Sequence, residues 1–157
     1  MSRTVREGRI LVVVLLGAVV GLTGCAAKGR PPTGAESAVR VTDVDSRNTW
    51  GIEPVSLRRT AADTLVDFRY RIIEPDKAVR LVNSKVPAFL LDEGSGIQFP
   101  VPESQTVGTM RQTSRNGPPQ AGRIYFMLFA NPGRFIQAGS TVSVVVGGAR
   151  VATLEVQ

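Results

Sequence analysis

Val66-Asp67-Phe68-Arg69-Tyr70-Arg71-Ile72 alternates apolar and polar residues without interruption. Successive side chains of a strand point to opposite faces, so Val66, Phe68, Tyr70 and Ile72 share one face and Asp67, Arg69 and Arg71 the other. One buried and one wet face is the pattern of an antiparallel sheet lying against a single core. Residues 55–59 supply a pairing partner across a turn at residues 60–63.

The same grammar recurs along the chain. A two-residue Gly147-Gly148 turn predicts a closing hairpin with Val146 opposite Ala149, Val144 opposite Val151 and Val142 opposite Thr153. Residues 124–129 are apolar on both alternating sets, which predicts a central strand covered on both sides. Asn131-Pro132-Gly133 stops that strand with strong turn chemistry. A further hairpin joins residues 88–91 to residues 97–101 through the turn at residues 92–96. One helix of one or two turns is expected from Pro75, a residue suited to the first helical position, with Ala78, Leu81 and Val82 on its apolar stripe. Trp50 is expected to plug an open end of the core. The fold class is therefore all-β: an antiparallel β-sandwich with one short helix, similar in architecture to immunoglobulin-like domains but without their paired cysteines.

The N-terminal region follows a different logic. Arg3, Arg6 and Arg9 precede an apolar run over residues 10–22, broken only by Gly17 and Gly21, as in a secretory signal. At 13 residues the run is short, since a helix needs about 20 apolar residues to span a bilayer. An uncleaved transmembrane anchor is the alternative. The run ends in Leu22-Thr23-Gly24-Cys25, which resembles the lipobox of bacterial lipoprotein precursors. That resemblance implies a diacylglyceryl group on the Cys25 sulfur, cleavage before Cys25 and further acylation, by palmitate or a similar chain, at the new amino terminus. Two or three acyl chains, at about 0.8 kcal/mol per buried methylene, hold a protein on a membrane practically permanently.

The implied division is a signal peptide over residues 1–24, an acylated Cys25 with a disordered tether over residues 25–38, and a β-sandwich domain over residues 39–157. The tether is rich in glycine and proline and poor in large apolar residues. Its residues 26–37 reach at most about 40 Å when extended, which keeps the domain near the membrane. By the same resemblance the chain faces the periplasm of a bacterial cell envelope, and Ala26 after the cysteine favours the outer membrane in a Gram-negative cell.

Composition restricts the chemistry. Removal of residues 1–24 leaves 133 residues, enough for one core, with 16 basic and 12 acidic residues and a net charge of +4. This surplus is not clustered into a nucleic-acid footprint. The sequence contains no histidine and Cys25 is its one cysteine. Ser-His-Asp and Cys-His nucleophile pairs are thus excluded, as is an internal disulfide. Asp92-Glu93, or Asp63 with Asp67, formally supplies a carboxylate pair for glycan hydrolysis. Asp92-Glu93-Gly94 is better explained as turn composition, and Asp67 as an ion pair with neighbouring arginines. Met110 and Met127 are too few for a copper site, and Met127 fits core packing. No cofactor or metal is expected.

Two features point to binding. Arg58, Arg59, Arg69 and Arg71 lie on neighbouring strands and form a basic stripe suited to carboxylates or phosphates. Residues 102–122 are long for a connection without its own structure, include one short strand near residues 108–112, and carry Arg111 and Arg115, which marks a partner-binding loop. The expected function is a lipid-anchored envelope protein acting by binding, as an accessory or assembly subunit of a membrane-associated complex. It touches the membrane through its lipid and an envelope protein through its arginines, with no nucleic-acid partner and no catalytic role. A periplasmic carrier of a small ligand or metal is the second reading, and a carboxylate-dependent cell-wall glycan enzyme the third.

Overall fold

The alternation centred on Phe68 builds the middle strand of a three-stranded antiparallel sheet. In the computed structural model, which describes residues 41–42, 45–106 and 108–157, the chain runs β1 (Val41–Thr42), α1 (Ser46–Trp50), β2 (Ile52–Thr60) and β3 (Leu65–Ile72). There follow α2 (Pro75–Val82), β4 (Ala88–Asp92), β5 (Gln98–Pro100), β6 (Glu103–Ser104) and β7 (Gly108–Thr109). The chain closes with β8 (Ile124–Ala130), β9 (Thr141–Val146) and β10 (Ala149–Glu155). One sheet has the order β1-β10-β9-β4-β5, the second β2-β3-β8, and β6 and β7 form a small separate ribbon. The fold is an all-β antiparallel sandwich, and the immunoglobulin-like expectation holds at that level of architecture. Cys25, the lipobox and the tether lie outside the described residues.

The core forms between the two sheets. Val66, Phe68, Tyr70 and Ile72 are all buried, as the alternation requires. They meet Leu57, Met127 and Phe129 from their own sheet and Leu90, Val142, Val144 and Leu154 from the other. The apolar stripe of α2 is also buried at Ala78, Leu81 and Val82. A second helix, α1, joins the one expected: Asp45 caps it by accepting a bond from the Asn48 N–H, and left-handed Gly51 ends it. This helix carries Trp50 into the core, where the indole Nε1 donates to the Arg150 carbonyl at 3.1 Å and the Arg80 guanidinium sits 5.4 Å from the ring centre. Trp50 thus closes one end of the core while keeping its N–H satisfied.

The hairpin at residues 60–63 forms one position later than expected and is longer, pairing β2 from Thr60↔Leu65 to Ile52↔Ile72. Its turn holds Ala61, Ala62 and Asp63 at φ of 50°, 52° and 67°, left-handed backbone that L-residues occupy only under constraint. An extra residue bulges β2 between Pro54 and Ser56. Pro54 is tolerated because β2 is an edge strand.

Two expectations are corrected. The Gly147-Gly148 turn pairs Val146 with Ala149 as expected, but Val144 pairs with Ala152 and Val142 with Leu154, not with Val151 and Thr153. A β-bulge between Arg150 and Ala152 inserts one residue and shifts every later pair. Without it Thr153 would face the core and Leu154 solvent; with it Leu154 is buried and Thr153 lies opposite Ser143, where their hydroxyls hydrogen bond at 2.7 Å. The second correction concerns β8. It is the outer strand of its sheet, flanked on its free edge by an isolated bridge between Arg111 and Met127. Tyr125, Met127 and Phe129 are buried, but Ile124 is 45% and Phe126 36% exposed. Apolarity on both alternating sets did not mean cover on both faces.

The two sheets also touch through the backbone at one side. Beyond β10 the Gln157 N–H donates to the Leu57 carbonyl at 3.0 Å, and the Arg59 N–H donates to the Gln157 carbonyl at 3.2 Å. The end of a strand of one sheet therefore satisfies part of the β2 edge of the other.

Candidate functional site

The segment between β5 and β8 is ordered by backbone pairing with β8. Arg111 bridges Met127, the Leu128 N–H donates to the Met110 carbonyl at 2.9 Å, and the Gln112 N–H donates to the Phe126 carbonyl at 3.1 Å. Gln112 adds its side chain, whose Oε1 accepts the Phe126 N–H at 3.2 Å. The expected short strand is present as β7, paired with β6, and a 3-10 turn at Ser114–Asn116 follows it.

Register places Arg111 on the same face as Met127, toward the interior. Its side chain is only 6% exposed. One nitrogen, Nη2, donates to the carbonyls of Asn83 at 2.8 Å and Val86 at 2.5 Å, stitching the segment to the connection between α2 and β4. Nε and Nη1 are buried with no hydrogen-bond partner. Burial pulls the Arg111 guanidinium below its usual range, because removal from water disfavours the cation. Burial likewise raises the phenol of neighbouring Tyr70, whose Oη also has no partner. A buried cation beside a phenol that stays neutral is an unbalanced positive charge.

A cavity of about 250 Å³ opens beside this guanidinium. The segment after β7 contributes Arg111, Gln112, Thr113 and Arg115 to its wall, the entry to β8 contributes Gln120, Arg123 and Tyr125, and Ser84 closes it from the α2–β4 connection. The Tyr125 hydroxyl accepts the Gln120 N–H at 3.2 Å, and the Arg123 Nη1 donates to the Gln120 Oε1 at 2.9 Å, which fixes the rim. No lining residue is acidic. Among the described residues none of Arg111, Arg115 and Arg123 forms an ion pair. Arg111 and Arg115, marked by the sequence, thus meet in one site. Arg123, Tyr125 and Ser84 were missed, because their sequence positions carry no local signal and only pairing with β8 and the Arg111–Asn83 bond bring them together.

The other arginines form a separate surface. Pairing of Arg58 with Asp67, Ser56 with Arg69 and Glu53 with Arg71 places Arg58, Arg69 and Arg71 on the outer face of the three-stranded sheet, whereas Arg59 pairs with Val66 and belongs to the other face. Arg69 Nε lies 2.9 Å from Asp67 Oδ2 and Arg71 Nε 3.8 Å from Glu53 Oε2. Arg58 is exposed and makes no ion pair among the described residues. Across β3, Arg71 stands beside Ile124, Arg69 beside Phe126 and Asp67 beside Leu128. The face is therefore half cationic and half apolar.

The carboxylates considered for hydrolysis have structural partners. Asp92 Oδ2 accepts from the Ser95 N–H at 2.8 Å and hydroxyl at 2.7 Å inside its own turn. Glu93 belongs less to the turn than expected, since its Oε1 takes the Ser143 hydroxyl at 2.5 Å and both its oxygens take Arg150 Nη2 at 3.1 Å. Asp63 pairs with Arg59 at 3.2 Å. Met127 is fully buried in the core. Among the described residues no cluster of three acidic, histidine or cysteine side chains is placed to hold a metal ion, and no helix is long and apolar enough to cross a membrane. No protein-family model, curated protein or solved structure matches the chain.

Proposed function

We propose that this chain is a lipid-anchored protein of the bacterial cell envelope that acts by binding, as an accessory or assembly subunit of a membrane-associated complex. The observation that carries the binding role is the outer face of the β2-β3-β8 sheet, where exposed Ile124 and Phe126 stand beside Arg69 and Arg71. Large apolar side chains exposed together on a sheet face are a common mark of an interaction surface. Aromatic and arginine side chains are also the residue types that dominate binding energy. The chemistry fits an envelope protein that presents an apolar patch edged by carboxylates. The lipobox supports the address, with the acyl chains of Cys25 on the membrane and the domain facing the periplasm. The short tether keeps the partner close to that membrane.

The test is cross-linking in intact cells followed by purification through a C-terminal tag. A stoichiometric envelope protein is expected with the natural chain. Phe126→Asp is expected to weaken its capture by about 2 kcal/mol, roughly thirtyfold, because a central aromatic anchor is lost and a charge is buried in its place. The melting temperature should change little, since Phe126 lies outside the core. Equal capture of the same partner by Phe126→Asp would remove this face from the interaction.

A further inference from the structure

We propose that the cavity beside β8 binds a small oxyanion-bearing ligand, a phosphate ester or a carboxylate, through Arg111, Arg115 and Arg123. It is a second site, separate from the outer sheet face and independent of the partner bound there. Three guanidinium groups converge on one cavity with no acidic residue in its wall. Several arginines elsewhere on the domain are paired with a carboxylate, Arg59 with Asp63, Arg69 with Asp67 and Arg150 with Glu93. The floor cation is the decisive feature. Arg111 is held by two backbone carbonyls, which orient it without neutralising it, and its Nε and Nη1 remain buried and unbonded. Those two nitrogens are sealed from water, so Arg111 acts on a ligand through its charge, which is felt more strongly in a poorly hydrated surrounding.

Arg115 and Arg123 are exposed at the rim and can reach the ligand directly. A guanidinium presents paired N–H donors that match the oxygens of a carboxylate or phosphate. The Tyr125 hydroxyl already accepts the Gln120 N–H, so its own proton is free to be donated to an oxyanion. At about 250 Å³ the cavity is smaller than the roughly 300–1,000 Å³ of sites for drug-sized ligands, which suits one charged group with a short substituent. An anion seated there would lift the burial penalty on Arg111.

Calorimetric titration of the full chain in neutral detergent at low salt, with inorganic phosphate and with glutarate as separate probes, tests this. Saturable one-to-one binding of at least one probe is expected. A clear preference for phosphate or for glutarate assigns the ligand class, and equal affinities define a general oxyanion site. Combined Arg115→Gln and Arg123→Gln should weaken binding about tenfold or more, in line with the loss of charge-assisted bonds. Arg134→Gln, an exposed charge removed elsewhere, should leave it unchanged. Because changing Arg111 threatens the fold of the segment, its part is read in the natural chain, as a shift of its Nε–H resonance on addition of phosphate. Absence of saturable binding with both probes, or unchanged affinity in the double variant, overturns the proposal.

Discussion

Phe68→Ala is expected to destabilise the domain by about 3–5 kcal/mol, the range for removal of a fully buried aromatic side chain. Phe68 sits in the middle strand of its sheet, between Leu57 on β2 and Met127 on β8, and all three are completely buried. Its ring stacks on Tyr70 with centroids 5.3 Å apart and planes inclined by 22°. Both neighbouring strands are fixed by backbone pairing, so the space left by the ring cannot close by collapse. The cavity cost then adds to the lost transfer free energy. Phe126→Ala, one strand position from Met127, the partner of Phe68, and therefore on the other face, should cost below about 1 kcal/mol, as expected for a surface substitution. Denaturant unfolding of both variants checks the contrast. Equal losses would mean that the face assignment of β3 and β8 is wrong.

Asn131 gives the second large effect. It is completely buried, its Oδ1 accepts the Ile136 N–H at 2.8 Å, and its Nδ2 donates to the carbonyls of Asp63 at 2.8 Å and Ile136 at 3.1 Å. The Asn131 N–H also donates to the Thr64 carbonyl at 2.8 Å. One residue therefore holds both the turn after β8 and the left-handed turn at residues 61–63, whose conformation costs on the order of 1 kcal/mol per residue. Asn131→Ala strands one buried donor and two buried acceptors, and a loss of roughly 2–4 kcal/mol is expected.

Asn131→Asp separates hydrogen bonding from shape. The new carboxylate would replace a donor with an oxygen facing two carbonyl oxygens, so its folded-state pKa must rise above the unfolded value of about 3.9. A group with a raised folded pKa contributes most to stability when protonated. The variant should therefore come closest to the natural chain near pH 4 and lose ground as pH rises through the folded pKa. Unfolding free energies of the natural chain and the variant, measured from pH 4 to pH 7, test this. A difference that does not change with pH would show that the Asn131 amide is not the donor to those carbonyls.

The sequence made the face structure legible where alternation was strict. In β3 every second residue is large and apolar, so the buried set follows from geometry alone. Register was less legible. The bulge at residue 151 inserts one position into a run where Val151, Ala152 and Leu154 are all apolar, and such a run does not announce where period two breaks. The burial of Leu154 in place of Thr153 makes the bulged register the favourable one. For β8 the composition was ambiguous for another reason: an apolar outer set is compatible with cover by another layer and with an exposed binding face.

The candidate site was half legible. Arg111 and Arg115 stood out on a long connection, but the cavity they line depends on a bond from Arg111 to Asn83, 28 residues earlier in the chain. Long-range closure of this kind has no local sequence signal. Asn131 looked like a turn residue, which it is, and its hold on residues 61–63 emerges only from the packing of the two turns. The basic stripe was legible as neighbouring strands, and the β2–β3 register then removed Arg59 from it while leaving Arg58, Arg69 and Arg71 together.

We propose that the domain acts from a membrane to which Cys25 ties it. Mass spectrometry of the N-terminal peptide of the protein extracted from membranes by detergent tests it most directly. A peptide that begins at Cys25, with a diacylglyceryl thioether on Sγ and an acyl chain on the new amino terminus, is the predicted result. A chain that keeps residues 1–24, or begins at Cys25 with a free thiol, would contradict it.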